Sequence, residues 1–149
     1  MRNYFLSAAF VILYILGCSC VCFEIPNVKS AYKQADVVLS VTVLKILPTH
    51  NSIDTAYIKN NDSVFVRQIF GFDKQILIQS VYKGQNIKDT MIIKGEGSNC
   101  ELRLRVGQEY LIYGWLENGK INTSQCTRSA FLKDNPDIPY LEKRKRRRK

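Results

Sequence analysis

The chain has 149 residues, of which 46% are hydrophobic, and a formal net charge of +9, which leaves room for one domain of common size with a real core. The charge is concentrated: residues 143–149, KRKRRRK, supply seven positive charges and Arg2 one, so the body between Cys20 and Glu142 is left at +1. Such a nearly neutral body excludes reading the chain as a basic domain; the basic character belongs to the tail.

Met1-Arg2-Asn3 forms a short basic n-region, and Tyr4 to Leu16 is an apolar run of 13 residues, too short for a comfortable membrane span and followed by small residues. Residues 1–19 are therefore expected to be a secretory signal peptide, with an uncleaved anchor as the rival. Gly17-Cys18-Ser19 suits a signal peptidase, and cutting after Ser19 leaves Cys20 as the first residue. Ile15-Leu16-Gly17-Cys18 also resembles a bacterial lipobox, which would lipidate Cys18 and anchor the protein at a bacterial membrane. The first reading is preferred and makes the protein secreted.

Three of the five cysteines crowd into LGCSCVC, residues 16–22. Alternating cysteines this close are held apart by the backbone, so their partners lie elsewhere. With Cys18 removed with the leader or lipidated, Cys20, Cys22, Cys100 and Cys126 remain, and four cysteines allow three pairings. Long closed loops would each remove unfolded-chain entropy on the order of 4 kcal/mol. Metal binding by the C-x-C-x-C cluster is the weaker reading, because C-x-x-C spacing and histidine company are missing.

Asn27 is placed to cap a short helix through Ala35, with Val28, Ala31, Tyr32 and Ala35 on one side. DVVLSVTVLKIL, residues 36–47, reads as a long strand with Val37, Leu39, Val41 and Val43 inward and Ser40 and Thr42 outward. Residues 49–62 are polar and irregular. Strands are expected at Val64–Phe70, Gln75–Tyr82, Thr90–Lys94, Tyr110–Leu116 and Lys120–Gln125, the last two joined at Asn118-Gly119, a strong hairpin signal. The pattern predicts an all-β, closed or nearly closed sheet. Asn61-Asp62-Ser63 and Asn122-Thr123-Ser124 match the glycosylation acceptor pattern.

Enzyme activity finds little support. His50 is the only histidine, and no acid or nucleophile is placed beside it in the irregular loop. Tyr110, Tyr113 and Trp115 share a strand and read mainly as core residues rather than as a nucleobase platform. No cofactor, no metal of the chain's own and no nucleic-acid partner are expected. Residues 143–149 are expected to be solvated and disordered, attracting polyanions such as glycosaminoglycan or anionic membrane, or serving only as a solubilising terminus.

CVC near a mature start, AYKQADVVLSVTVL, VYKG and NCELRLRVGQEYLIYGWLENGKINTSQC, in that order and spacing, resemble the netrin-like module, specifically the N-terminal domain of the tissue inhibitors of metalloproteinases. The resemblance runs from Cys20 to about Phe131. It implies a five-stranded, OB-fold-like closed barrel with one or two short helices over residues 20–132, followed by a basic tail at 133–149. It also implies disulfides Cys20–Cys100 and Cys22–Cys126, and a monomer.

The same resemblance implies a mechanism. The amine and carbonyl of Cys20 would chelate the catalytic zinc of a metalloproteinase, Val21 would enter its specificity pocket, and Cys22, Ser98, Asn99 and Cys100 would complete the inhibitory edge. The chain departs from the vertebrate pattern in having Val21 where Thr or Ser stands, and in lacking a third disulfide and a separate C-terminal domain. The alternative function is a netrin-like binding module without inhibitory activity, held at a surface by lipid on Cys18 or by the tail.

Overall fold

The computed structural model describes residues 20–49, 53–55 and 68–147. Residues 1–19 (the expected leader, with Cys18), His50, the Asn61 acceptor pattern, Arg148, Lys149 and residues 64–67 of one expected strand lie outside the described residues.

The first element is helix α1 (Val28–Gln34). Asn27 caps it as the sequence predicts, its side-chain oxygen accepting from the backbone N–H groups of Lys29 and Ser30, both at 3.1 Å. Ala35 returns the chain to extended geometry, and β1 (Val37–Leu47) begins at once. A two-stranded sheet pairs β2 (Ile53–Thr55) with β3 (Gln68–Phe70). Then follow β4 (Asp73–Lys83), β5 (Thr90–Ile93), β6 (Glu109–Glu117), β7 (Lys120–Asn122) and β8 (Ala130–Phe131), and the described chain closes with helix α2 (Ile138–Arg146).

The strands run in the order β1-β4-β5-β7-β6, and β6 pairs back onto β1. This closes a five-stranded barrel of the OB-fold type, in which the β5–β7 pairing is parallel and the other barrel pairings are antiparallel. Closure removes edges that would otherwise template pairing with another chain. The β6–β7 hairpin turns on Asn118 (φ 51°) and Gly119 (φ 76°), and two consecutive left-handed residues are what a type I′ turn demands.

Period-two alternation explains the core. Val37, Leu39, Val41 and Val43 point into the barrel against Ile76, Ile93, Tyr110, Ile112 and Ile121. The opposite face of β1 and β6 is also buried: Val38, Leu111 and Tyr113 pack with Ala31, Tyr32, Tyr82 and Leu141 under the two helices. Ser40, expected outward, is therefore buried as well.

The basic tail departs furthest from expectation. A helix runs through Lys143, Arg144, Lys145 and Arg146 instead of a disordered block. Leu141 is wholly buried, with Ile138 and Tyr140 packed alongside, and this apolar anchor carries the charges that follow it. Arg144 stands 4.5 Å from the ring centre of Tyr32, and Lys145 stands 5.4 Å from that of Tyr82. Cations over ring faces offset part of their mutual repulsion.

Candidate functional site

Residues 20–27 form neither helix nor strand; covalent bonds hold them. Cys20 is bridged to Cys100 and Cys22 to Cys126, with Cα–Cα separations of 5.0 and 5.2 Å. The two cysteines turn toward the barrel, so the residues between and after them turn away: Val21 is 76% exposed and Phe23 fully so. Further along, a guanidinium N–H of Arg128 donates to the carbonyl of Pro26 at 3.2 Å. The crowding of cysteines thus resolves into a segment stapled twice within three residues.

The two bridges adjoin. The Cys20 and Cys126 sulfurs are 3.6 Å apart, and with that of Cys100 they form a group within 4.8 Å. That span would suit a thiolate metal site, but each sulfur is committed to a bridge and carries no thiolate charge to bind a cation.

The partner loop owes its place to buried charge. Ser98 and Asn99 are exposed, in a turn where the Glu101 N–H donates to the Ser98 carbonyl at 3.0 Å. The Gln125 amide donates to the carbonyls of Asn99 at 3.4 Å and Glu101 at 3.0 Å. Beneath them, one Glu101 carboxylate oxygen accepts from the backbone N–H groups of Gly71 and Gly97, both at 2.8 Å, and the other pairs with Lys74. The Lys74 and Glu101 side chains are 3% and 5% exposed, so the pair is enclosed and hydrogen-bonded, as a buried ion pair must be.

Next to it, Asp73 accepts from the Gly95 N–H at 2.9 Å and from the Lys120 ammonium at 2.6 Å. Burial alone would raise its pKa, but the hydrogen bonds from Lys120 and Gly95, with the charges of Lys120 and Lys74, outweigh burial and hold it below the ordinary value. Gly95 admits no side chain: an added Cβ would stand 2.4 Å from the backbone of Gly71 and Phe72. Close approach of these two loop backbones sets where Cys100, and through it Cys20, can lie.

On the other flank, Arg128 makes a two-pronged pair with Asp137, at 2.6 and 2.8 Å, and the Tyr113 hydroxyl donates to the same carboxylate at 2.9 Å. Burial first, then the neighbouring carboxylate, pushes the Tyr113 hydroxyl far above its usual pKa. Arg128 thus ties together the N-terminal segment, β6 and the entry to α2. A cleft of about 290 Å³ lies between this cluster and α1, lined by Glu24, Pro26, Gln34, Trp115 and Arg128 among others. Trp115, read from the sequence as a core residue, is 46% exposed, because it stands at the cleft rather than beneath a helix.

Of the residues singled out from the sequence, Cys20, Val21, Cys22 and Cys100 come together on one edge, with Ser98 and Asn99 on the loop that leads into it. Phe23, Lys74, Glu101 and Arg128 escape sequence reasoning. Phe23 carries a local signal, since it continues the alternation of Val21; Glu101 and Lys74, 27 positions apart, carry none. The Asn122 acceptor pattern is engaged in the folded chain: the Asn122 amide donates to Glu117 at 2.8 Å, and the Thr123 hydroxyl is buried against the Tyr113 carbonyl. The chain matches no protein-family model, and no curated protein matches its sequence.

Proposed function

We propose that the protein is a secreted inhibitor of zinc metalloproteinases that acts through its Cys20–Cys22 edge. One observation carries the reading: two adjoining disulfides pin the Cys20–Cys22 segment beside an exposed loop while leaving Val21 76% exposed. A free α-amino group has a pKa near 8, so part of it is neutral at physiological pH and able to donate a lone pair to a metal. A catalytic zinc keeps one position open for water. Once residues 1–19 are removed, the Cys20 amine and carbonyl would take that position and displace the attacking water. Val21, and after it Phe23, would fill apolar pockets along the protease cleft. Stapling lowers the ordering cost of binding.

The test begins with the exported protein itself. Intact mass and N-terminal sequencing are expected to give Cys20 first, and the protein is expected to inhibit at least one member of a panel of zinc metalloproteinases. A variant with one alanine before Cys20 should keep both bridges and lose inhibition, because its chelating amine has become an amide. Undiminished inhibition by that variant refutes the zinc-capping mechanism. A protein that begins at a lipidated Cys18 points instead to the non-inhibitory netrin-like binding module.

A further inference from the structure

We propose that the exposed side of α2 is a docking surface for a linear sulfated polysaccharide. This goes beyond the inhibitory reading and stands whether or not the Cys20 edge caps a zinc. Lys143 and Arg146 in the last turn of α2 and Arg147 at its C-cap are exposed; spaced three and four apart from Lys143, with Arg147 still near helical geometry, they lie on one side. Their side chains make no hydrogen bond or ion pair among the described residues, whereas Arg144 and Lys145 are turned onto Tyr32 and Tyr82. Cations in the last turn stabilise a helix through its dipole. That effect is confined to the final turn and does not call for a separate row of unpaired cations pointing into solvent. Glu142, the carboxylate in their midst, lies by the Tyr82 hydroxyl, whose pKa it helps to raise, and makes no ion pair with them among the described residues; its single negative charge leaves the three cations in excess.

The apolar side of the helix decides which polyanion fits. A helix that lies in a membrane needs a free apolar face, but Ile138, Tyr140 and Leu141 are spent on the barrel. The cationic row therefore has no apolar flank to insert between lipid tails. Among the described residues the aromatic rings near the row are already engaged: Tyr32 and Tyr82 lie under the helix's own cations, and Tyr140 packs on the barrel while its hydroxyl accepts from Arg144 at 3.5 Å. What remains is a rigid, purely cationic strip. Its chemistry matches sulfate groups repeating along a soluble chain, and docking would release that chain's condensed counterions.

Heparin serves as the probe, with the full exported protein and both bridges intact. Immobilised heparin is expected to retain it at about 0.15 M ionic strength. The triple variant Lys143→Gln, Arg146→Gln, Arg147→Gln should elute at lower salt, and the slope of log affinity against log salt should fall by about three, one for each cation removed. Thermal unfolding should remain a single cooperative transition, lowered only slightly by the lost dipole interactions, and the charge-preserving pair Arg146→Lys, Arg147→Lys should be retained like the parent. Two results overturn the proposal. One is retention of the triple variant at the parent's salt. The other is parent protein that leaves heparin while phosphatidylserine vesicles or duplex DNA still hold it.

Discussion

The sulfur of Cys20 lies 3.6 Å from that of Cys126, although each is bridged to a different partner. Thiol–disulfide exchange needs a thiolate within reach of a disulfide sulfur, and here that reach exists without backbone movement. Once mild reductant opens the Cys20–Cys100 bridge, the Cys20 thiolate should attack the Cys126 sulfur, break the Cys22–Cys126 bridge and release the Cys22 thiolate, yielding a species linked through Cys20 and Cys126. Peptide mapping after acid quenching detects it. Its absence at every stage of reduction would mean the two bridges do not communicate.

Removing a bridge should cost stability as well as the edge. Cys20 and Cys100 are 80 positions apart, and replacing both by serine frees a loop whose closure is worth about 4 kcal/mol in the chain-entropy treatment. Urea denaturation at neutral pH measures the loss. The Cys22–Cys126 bridge should persist in that variant and keep the barrel cooperative.

Glu101→Gln keeps the shape of the side chain and removes the charge that Lys74 faces. An ammonium left buried without a counter-charge should cost about 3–5 kcal/mol. The expected signature is non-additivity: Lys74→Met combined with Glu101→Gln should be less destabilised than Glu101→Gln alone. A double variant as unstable as the sum of the singles would show that Glu101 acts only through its hydrogen bonds to Gly71 and Gly97.

Asp73 gives the protein an acid-sensitive component. Its folded pKa is lowered from the ordinary value of 3.8, so the stability it contributes is complete above that value and is lost as pH falls through the lower folded value. Asp73→Asn should be less stable than the parent at neutral pH, and the difference should shrink as pH drops below about 4. Denaturant midpoints measured across that range check the sign; a difference that stays constant would assign the effect to packing.

Leu141→Ala tests whether the C-terminal helix belongs to the fold. The side chain is wholly buried, and truncating a buried leucine to alanine costs about 2–5 kcal/mol. The loss should be accompanied by exposure of Tyr32 and Tyr82, read by their fluorescence and by a fall of the Tyr82 pKa from about 12 toward the ordinary tyrosine value. A near-neutral effect would return residues 138–147 to the status of an appended tail.

What was legible in the sequence is what depends on near neighbours. The Asn27 cap, the inward row from Val37 to Val43, the left-handed turn at Asn118-Gly119 and the all-β character follow from residue type at short spacing, and the structure has each of them. The cysteine pairing came from resemblance, since four cysteines by themselves leave three pairings open; the bridges have the pairing the resemblance implies. Trp115 and Ser40 defeated strand alternation because the outer face of β1 and β6 is covered in one place by helices and left open at the cleft in another. Alternation reports which residues share a face and says nothing of what lies above it.

Local conformations and the class of fold follow from sterics and apolar periodicity along the chain. Only the assembled fold makes the basic block helical and brings Glu101 to Lys74 beneath the 95–100 loop. These are long-range outcomes. A charge run is disordered unless something apolar next to it finds a place to pack, and Leu141 finds that place only against a β1–β6 face assembled from residues roughly 30 to 100 positions away.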